Sequence, residues 1–407
     1  MLTIKQPTGM APCQKACPAH IDVPRYIRLI AQGDFDQALA VIREKIPFPS
    51  VCGYACMQPC ESSCNTKLID DPIAIRALKR FAAEKGKPVE VEPPAPRTAK
   101  KVAITGAGPA GLTTAYYLSR LGHTITVFEA QPQPGGMMRW GIPKKRLPEN
   151  ILDAEIEAVK AAGFELRTNV KVESLDELQR QGYDAVLVST GVPRKTSVGL
   201  MGKDAEAVRN WGLTLSNDNT LKIDSETTAT NIEGVFAAGD VTTGPTSIIN
   251  AIASGRKAAI AIDKYLGGNG DITETFTPQE GDVEFFIPPL TLNRVAPPRE
   301  PASKGAEQTL SEDAAIAEAG RCLRCDIPIV ANPDNCCGCL TCAFMCSLSN
   351  TGTFNIDRSH IQIERIRGGA EYKITFADEC INCGICARYC THDVLRRERI
   401  REALKCN

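Results

Sequence analysis

The sequence predicts an α/β domain with a parallel sheet, preceded by an all-α region and followed by a smaller α+β region. Between residues 98 and 268, strand-like runs such as KVAITG and DAVLVST alternate with helical stretches, which is typical of parallel sheets. The earlier stretch VPRYIRLIAQGDFDQALAVIREK has apolar residues at the three- and four-residue spacing of an amphipathic helix. After residue 320, twelve of the 18 cysteines follow in a repeated pattern.

Composition excludes several classes of protein. Hydrophobic residues at 43% and charged residues at 23% are unlike a collagen or a mostly disordered chain. A net charge of −1, with 12 Phe, 8 Tyr and 2 Trp, leaves no basic field or stacking surface for nucleic acid. No uncharged apolar run approaches the roughly 20 residues of a transmembrane helix, so no membrane partner is expected. The absence of a signal-peptide pattern and the tight grouping of the cysteines predict a cytoplasmic metal-binding protein.

Four segments separate along the chain. Residues 1–90 form the predicted helical domain with six cysteines, and VEPPAPR at residues 91–97 is a Pro-rich linker. Residues 98–268 form the α/β domain. Residues 269–326 are expected to be a linker that carries a CxxC pair, with PPLTLNRVAPPREP as an extended connector, and residues 327–407 form the α+β domain.

A cysteine tetrad occurs twice in the last segment. Its two copies are Cys336-x2-Cys339-x2-Cys342-x3-Cys346 and Cys380-x2-Cys383-x2-Cys386-x3-Cys390. This is the spacing of a bacterial-type ferredoxin, in which three thiolates hold one 4Fe–4S cluster and the fourth ligates the other cluster. We therefore assign one cluster to Cys336, Cys339, Cys342 and Cys390, and a second to Cys380, Cys383, Cys386 and Cys346. The alternative, two zinc sites, would need paired CxxC motifs with a long spacer.

The α/β segment opens with a Rossmann-like pattern. KVAITGAGPAGLTTAYYLSRLGHTITVFEA contains a strand, a Gly-rich turn, a helix and a second strand that ends in an acid. Gly106 allows the tight turn, Gly108 lets the backbone approach a pyrophosphate, and Gly111 lets helix and strand pack closely. Glu129, 18 residues after Gly111, can bind ribose hydroxyls. The predicted dinucleotide contacts here are Gly106, Gly108, Pro109, Ala110, Gly111, Glu129 and Ala130.

A second motif indicates that the dinucleotide is FAD. GVFAAGDVTTGPTSIINAIASGRKAAIAI has a strand ending in Gly-Asp before a helix, as in flavoproteins that hold the FAD ribityl chain. Asp240 would bind the ribityl chain or a nearby phosphate, and the following helix would direct its N-terminus at the flavin. The alternative for Asp240 is an ordinary turn at the end of a strand. The contacts predicted in this part are Thr190, Gly191, Gly239, Asp240, Thr246, Ser247 and Ile248.

Together these residues resemble the small subunit of glutamate synthase and its relatives, which are FAD- and iron–sulfur-containing oxidoreductases. The resemblance spans residues 11 to about 326 and rests on CQKACPAHIDVPRYIRLIAQGDFDQALAVIREKIPFPSVCGYAC, PCESSC, GAGPAGL, GGMMRWGIPKKRLP, GVFAAGD and RCLRCD. It implies further FAD contacts at Gly135, Gly136, Arg146 and Leu147, to which we add Val172.

One part of the family pattern is missing. In the family, a second Rossmann domain that binds NAD(P)H is inserted between the Thr-Gly turn and the Gly-Asp strand. Here the interval at residues 192–233 has 42 residues and no second GxGxxG. A nucleotide-binding unit needs a βαβ motif of about 30 residues plus supporting strands. The flavin is therefore expected either to meet NAD(P) without a dedicated domain or to exchange electrons only with clusters.

The first segment has only six cysteines, although two clusters would need eight ligands. In relatives an upstream CxxC completes one cluster, but no cysteine precedes Cys13 here, and we expect Cys322 and Cys325 to replace that pair. Some relatives use Glu or Gln as a fourth ligand where this chain has Lys79, a poor ligand, so Cys52 is assigned instead. The alternative is a single cluster and a structural CxxC pair. The two predicted sets are Cys13, Cys64, Cys322 and Cys325, and Cys17, Cys52, Cys56 and Cys60.

One FAD and up to four clusters without a recognisable substrate motif indicate a chain that conducts electrons. The stretch CCGCLTCAFMCSLSNTGTFNIDRSHI resembles ferredoxin subunits that accompany tungsten aldehyde oxidoreductases and benzoyl-CoA reductases. The resemblance implies a complex with ferredoxin-like and metal-containing catalytic subunits that is linked to NAD. The alternatives are a stand-alone NAD(P)H:acceptor oxidoreductase acting at FAD, and a docking subunit whose clusters only stabilise the fold.

Overall fold

The computed structural model describes residues 2–87, 95–192, 208, 210–274, 309–366 and 371–397. In these residues a helical N-terminal region precedes a parallel α/β region and a C-terminal α+β region. No helix among them is long and apolar enough to cross a lipid bilayer.

The N-terminal region is helical, as its apolar periodicity predicts. Asp22 and Asp34 cap the second and third helices by accepting hydrogen bonds from the backbone N–H of Arg25 and Gln37, both at 3.2 Å. The buried faces of these helices form one core, to which Tyr26 and other apolar side chains contribute. The elements are β1 (Thr3–Lys5), α1 (Pro12–Ala16), α2 (Val23–Ala31), α3 (Phe35–Arg43), α4 (Pro49–Ala55), α5 (Pro59–Ser62), a 3-10 helix (Asn65–Leu68) and α6 (Ile75–Lys85).

The middle region is the predicted α/β domain. Its elements are β2 (Lys101–Thr105), α7 (Pro109–Arg120), β3 (Thr124–Phe128), α8 (Met137–Trp140), α9 (Glu149–Lys160), β4 (Glu165–Arg167), α10 (Leu175–Arg180), β5 (Ala185–Val188), β6 (Val235–Ala237), α11 (Asp240–Thr243) and α12 (Ile248–Tyr265). The strands form one parallel sheet of order β4-β3-β2-β5-β6. Because β5 pairs directly with β6, the described residues of the 192–233 interval add no strand between them.

The C-terminal region combines short strands with helices. Its elements are α13 (Glu312–Gly320), β7 (Ile329–Ala331), a 3-10 helix (Pro333–Asn335), α14 (Thr341–Thr351), a 3-10 helix (Ile356–Arg358), β8 (Ile361–Arg365), β9 (Tyr372–Phe376), α15 (Ile385–Arg388) and β10 (Leu395–Arg397). Strands β8 and β9 form an antiparallel pair, and β7 lies between β1 and β10 in an antiparallel sheet.

Two predicted segment boundaries differ from the structure. Strand β1 pairs with β7, so the first residues of the predicted 1–90 domain belong to the C-terminal sheet. The stretch PPLTLNRVAPPREP, predicted to be extended, lies outside the described residues, and the later part of the predicted linker contains a helix, Glu312–Gly320. Ser311 caps that helix, and Glu318 accepts a hydrogen bond from the backbone N–H of Ala74 at 2.8 Å. The linker thus contains a helix that packs on the N-terminal region.

Helices α7 and α12 cross so closely that the crossing requires a glycine. A Cβ added at Gly255 would lie 2.4 Å from the carbonyl oxygen of Ala110. We expect Gly255→Ala to destabilise the protein by about 1–3 kcal/mol, because the backbone must move. The control is Gly320→Ala, where an added Cβ meets nothing within 4 Å. Thermal unfolding should give a lower Tm for Gly255→Ala alone, and equal Tm values for the two variants would contradict this packing.

Candidate cofactor sites

The Gly-rich turn after β2 leaves open space at the carboxyl edge of the parallel sheet. Gly106 has a φ of +99°, and a Cβ there would lie 2.5 Å from the carbonyl oxygen of Ser189. A Cβ at Gly111 would lie 2.1 Å from the carbonyl oxygen of Gly106, so both positions need glycine. At Gly108 an added Cβ meets nothing within 4 Å. This space before the N-terminus of α7 is where the sequence predicts the pyrophosphate.

Glu129 lies beside the same turn. It follows β3 and is buried. Its Oε2 accepts a hydrogen bond from the backbone N–H of Ala107 and its Oε1 from that of Gln131, both at 2.8 Å. The next residue, Ala130, is exposed. The carboxylate is thus held at the end of β3, where ribose hydroxyls are expected.

The ends of β5 and β6 reach the same edge of the sheet. Thr190 and Gly191 follow β5, and Gly239 and Asp240 follow β6. Parallel strands bind ligands outside their carboxyl ends, so these four residues and the Gly-rich turn lie at one site.

Asp240 is tied to the segment that begins the long helix α12. Its Oδ1 accepts hydrogen bonds from the backbone N–H of Thr246 at 3.1 Å and from the Thr246 hydroxyl at 2.9 Å. Burial raises the pKa of Asp240, while these two hydrogen bonds lower it. Ser247 caps α12 by accepting from the backbone N–H of Asn250 at 3.3 Å, and Ile248 is the first helical residue. The carboxylate and the helix N-terminus therefore form one polar unit.

The remaining predicted FAD contacts occupy three different places. The backbone N–H of Gly135 donates to the carbonyl oxygen of Ala107 at 2.8 Å, and a Cβ at Gly136 would lie 2.8 Å from the Cα of Gly108, so this loop covers the Gly-rich turn. Leu147 is buried in the main core and Val172 packs on a separate core group. Arg146 donates to the carbonyl oxygen of Ala55 at 3.4 Å and so reaches the N-terminal region.

Four cysteines near the flavin cradle form what we call the proximal site. They are Cys17, Cys52, Cys56 and Cys60. Burial raises the pKa of Cys60 to about 12; Lys79 lowers it, and the thiols of Cys56 and Cys17 raise it. Burial also raises the pKa of Cys52. Lys79 lowers that pKa, and the thiols of Cys56 and Cys17 raise it. The four thiols are close enough to interact, as the predicted set requires.

The CxxC pair joins two N-terminal cysteines in what we call the middle site. Its members are Cys13, Cys64, Cys322 and Cys325. Burial raises the pKa of Cys13, and the thiols of Cys322, Cys325 and Cys64 raise it further. Asn65 donates from Nδ2 to the Sγ of Cys325 at 3.5 Å. The structure thus brings together cysteines that are more than 250 residues apart in the chain.

The two tetrads exchange their fourth cysteines. One small cavity is lined by Cys346, Cys380, Cys383 and Cys386, which we call the inner C-terminal site. A second small cavity is lined by Cys336, Cys339, Cys342 and Cys390, which we call the outer C-terminal site. The described cysteines are free, and four thiols around a cavity fit a 4Fe–4S cluster.

The buried polar residues between these sites were not identified from the sequence. Arg28 pairs with Asp326 at 2.6 Å and its side chain is 1% exposed. Asn382 donates from Nδ2 to the carbonyl oxygens of Cys325 and Ile327, both at 3.1 Å. The available signal was the position of Asp326 directly after the CxxC pair. These contacts fix the CxxC segment between the N-terminal and C-terminal regions.

Two family models match overlapping parts of the chain. Residues 8–90 match dihydropyrimidine dehydrogenase domain II, 4Fe–4S cluster. Residues 74–255 match pyridine nucleotide-disulphide oxidoreductase. The matches indicate 4Fe–4S clusters and FAD as cofactors, in agreement with the predicted iron–sulfur region and flavin domain.

The similar curated proteins are oxidoreductase subunits. NADP(+)-dependent formate dehydrogenase subunit beta of Moorella thermoacetica is 43% identical over 230 residues, which cover 50% of this chain and 32% of that protein. NADPH-Fe(3+) oxidoreductase subunit beta of Geobacter sulfurreducens is 42% identical over 202 residues, which cover 48% of this chain and 30% of that protein. Glutamate synthase [NADPH] small chain of Bacillus subtilis is 33% identical over 198 residues, which cover 47% of this chain and 40% of that protein. These similarities confirm the resemblance to the glutamate synthase small chain over about half of this chain, and the chain spans less than half the length of these relatives.

Proposed function

We propose that this chain passes electrons between one FAD and four 4Fe–4S clusters as a subunit of a larger oxidoreductase. FAD exchanges electron pairs with hydride donors and single electrons with clusters, and so supplies the link between the two kinds of chemistry. The observation that carries this proposal is that eight cysteines line two cavities in the C-terminal region and that the thiols of eight others act on one another's pKa values, since groups of close thiols serve cluster ligation.

Contacts link the flavin cradle to the proximal, middle and inner C-terminal sites in turn. Arg146 joins the flavin cradle to the C-terminal end of α4 through the carbonyl oxygen of Ala55, and α4 carries Cys52 of the proximal site. The pKa of Cys13 in the middle site is raised chiefly by burial and also by Cys60 of the proximal site. The Sγ of Cys325 lies 3.9 Å from the carbonyl oxygen of Cys383, where the middle site meets the inner C-terminal site. This succession supports a path for electrons through the chain.

The FAD would lie across the carboxyl ends of β2, β3, β5 and β6. Its pyrophosphate would occupy the space at Gly108, its ribose would meet Glu129, and its ribityl chain would meet Asp240. The loop at Gly135 and Gly136 would cover the pyrophosphate. The N-terminus of α12 would face the flavin ring.

For the partners, we propose a tungsten aldehyde oxidoreductase-type catalytic subunit that this chain links to NAD. The proposal is supported by the first tetrad and the residues that follow it, which resemble the ferredoxin subunits of such complexes. The Moorella and Geobacter relatives are also named as beta subunits of nucleotide-dependent oxidoreductases. A benzoyl-CoA-reductase-type complex is the second candidate on the same resemblance.

Anaerobic titration of the purified holoprotein with NADH tests the function. As an electron-transfer subunit that reaches NAD only within the complex, the isolated chain should show no rapid bleaching of its flavin absorbance by NADH, because the described residues of the 192–233 interval hold no second nucleotide-binding sheet. Rapid and complete flavin reduction by NADH alone would instead establish a stand-alone NAD(P)H:acceptor oxidoreductase.

The flavin cradle has its own test in Gly108→Ala. The added methyl group meets nothing in the protein within 4 Å, so the fold should be kept while the space for the pyrophosphate is filled. We expect FAD to bind at least about tenfold more weakly, which corresponds to about 1.4 kcal/mol. The measurement is the FAD content of the purified variant and its affinity on reconstitution. Unchanged affinity would place the dinucleotide elsewhere, and Gly320→Ala serves as the control.

A further inference from the structure

A lysine is buried at the proximal site. Lys79 lies in α6 and is 3% exposed, although lysine is almost never fully buried unless it is paired. An uncompensated ammonium group in an apolar interior is costly. The position of Lys79 therefore requires negative charge close to it.

The packing of α4 on α6 places Lys79 at the cysteines. A Cβ added at Gly53 would lie 2.7 Å from the Cα of Arg80, so the two backbones nearly touch there. Cys52 and Lys79 are the residues immediately before Gly53 and Arg80, and both are buried. The glycine thus allows α4 and α6 to cross closely at positions next to Cys52 and Lys79.

The electrostatic surroundings of Lys79 are the proximal site itself. Burial lowers the pKa of Lys79, and the thiols of Cys52, Cys56, Cys60 and Cys17 raise it, with a net upward shift. Glu155 also acts on Cys52, but its carboxylate accepts the backbone N–H groups of Ser50 and Val51 at 2.6 and 2.7 Å. The carboxylate therefore caps the start of α4, and the four thiols are the groups that raise the pKa of Lys79.

We propose that Lys79 is a positioning residue whose ammonium group sets the reduction potential of the cluster at the proximal site. This inference rests on the proposed function only in requiring a cluster there. A 4Fe–4S core with four thiolate ligands carries net negative charge, which grows by one when it accepts an electron. A fixed positive charge stabilises the more negative state more strongly, so it raises the potential. Lys79 would make this cluster the better electron acceptor.

The test is a redox titration of the full-length holoprotein, with each cluster followed by its EPR signal. In Lys79→Met we expect one cluster to shift to lower potential. The ratio of its reduced to its oxidised form at a fixed potential should fall by about tenfold or more. A tenfold change corresponds to a shift of about 59 mV for a one-electron couple. Lys79→Arg keeps the charge and should stay close to wild type. Lys85→Met, at an exposed lysine of the same helix, should change nothing.

The iron content and the cluster potentials of the two Lys79 variants distinguish a role of the charge from a role of the side-chain shape. A Lys79→Met protein with full iron content and unchanged potentials would overturn it. Loss of about four irons in Lys79→Met but not in Lys79→Arg would support it, since the charge would then hold the anionic cluster in place. Equal loss in both variants would overturn it, because the lysine would then act through its shape. A wild-type protein without a proximal cluster would instead refute the cluster assignment, and the wild-type iron content alone reveals that case.

Discussion

Replacing both Cys322 and Cys325 by serine is expected to remove about four irons per chain, one whole cluster. These cysteines supply half of the middle site, and the other half comes from Cys13 and Cys64 in the N-terminal region. Serine oxygen is a much poorer ligand than thiolate for iron in such clusters. Two remaining thiolates cannot hold a cluster, so the loss should be complete.

The measurement is iron and acid-labile sulfide per chain, together with the EPR spectrum of the reduced protein. The matched control is Cys406→Ser, because Cys406 lies outside both tetrads and outside the CxxC pair. An iron content that stays at the wild-type value in the double variant would show that the CxxC pair is only structural. The chain would then have at most one N-terminal cluster.

Arg28→Met is expected to cost about 3–5 kcal/mol of stability, because it removes the buried guanidinium from its ion pair with the Asp326 carboxylate. The guanidinium of Arg28 pairs with Asp326 at 2.6 Å, and the two side chains are 1% and 17% exposed. Asp326 follows Cys325 directly, so the pair also holds the CxxC segment against α2. We expect a lower Tm and faster loss of iron on chelator challenge.

The control for that variant is Arg180→Met. Arg180 pairs with Glu177 at 2.9 Å, but the side chains are 73% and 49% exposed, and exposed pairs contribute about 0–1 kcal/mol. If Arg28→Met and Arg180→Met unfold at the same temperature and release iron equally, the buried pair does not fix the CxxC segment.

Local sequence patterns predicted much of the fold because they report local structure. Alternating strands and helices predicted the parallel sheet, and the Gly-rich turn with Glu129 predicted the edge where the dinucleotide motifs meet. The exchange of Cys346 and Cys390 between the tetrads also follows from spacing alone, since the ferredoxin pattern is rigid. The structure groups these cysteines in that way.

The features that the sequence did not predict depend on contacts between distant parts of the chain. Strand β1 has three residues and joins the C-terminal sheet through β7, which no local pattern reveals. Helix α13 carries a helix signal in Ser311 and its acidic first turn, but its Pro-rich surroundings favoured a connector. The sequence indicates only that Lys79 is a poor ligand. It does not indicate that Lys79 is buried, because that burial arises from the packing of α4 on α6.

The most direct test of the electron-transfer account is the cofactor content of the full-length protein, purified anaerobically and fully reconstituted. Four clusters and one flavin predict about sixteen irons, about sixteen sulfides and about one FAD per chain. About eight irons would leave only the two C-terminal clusters and would break the proposed path between them and the flavin. That result would contradict the account, whereas sixteen irons with one FAD would support it.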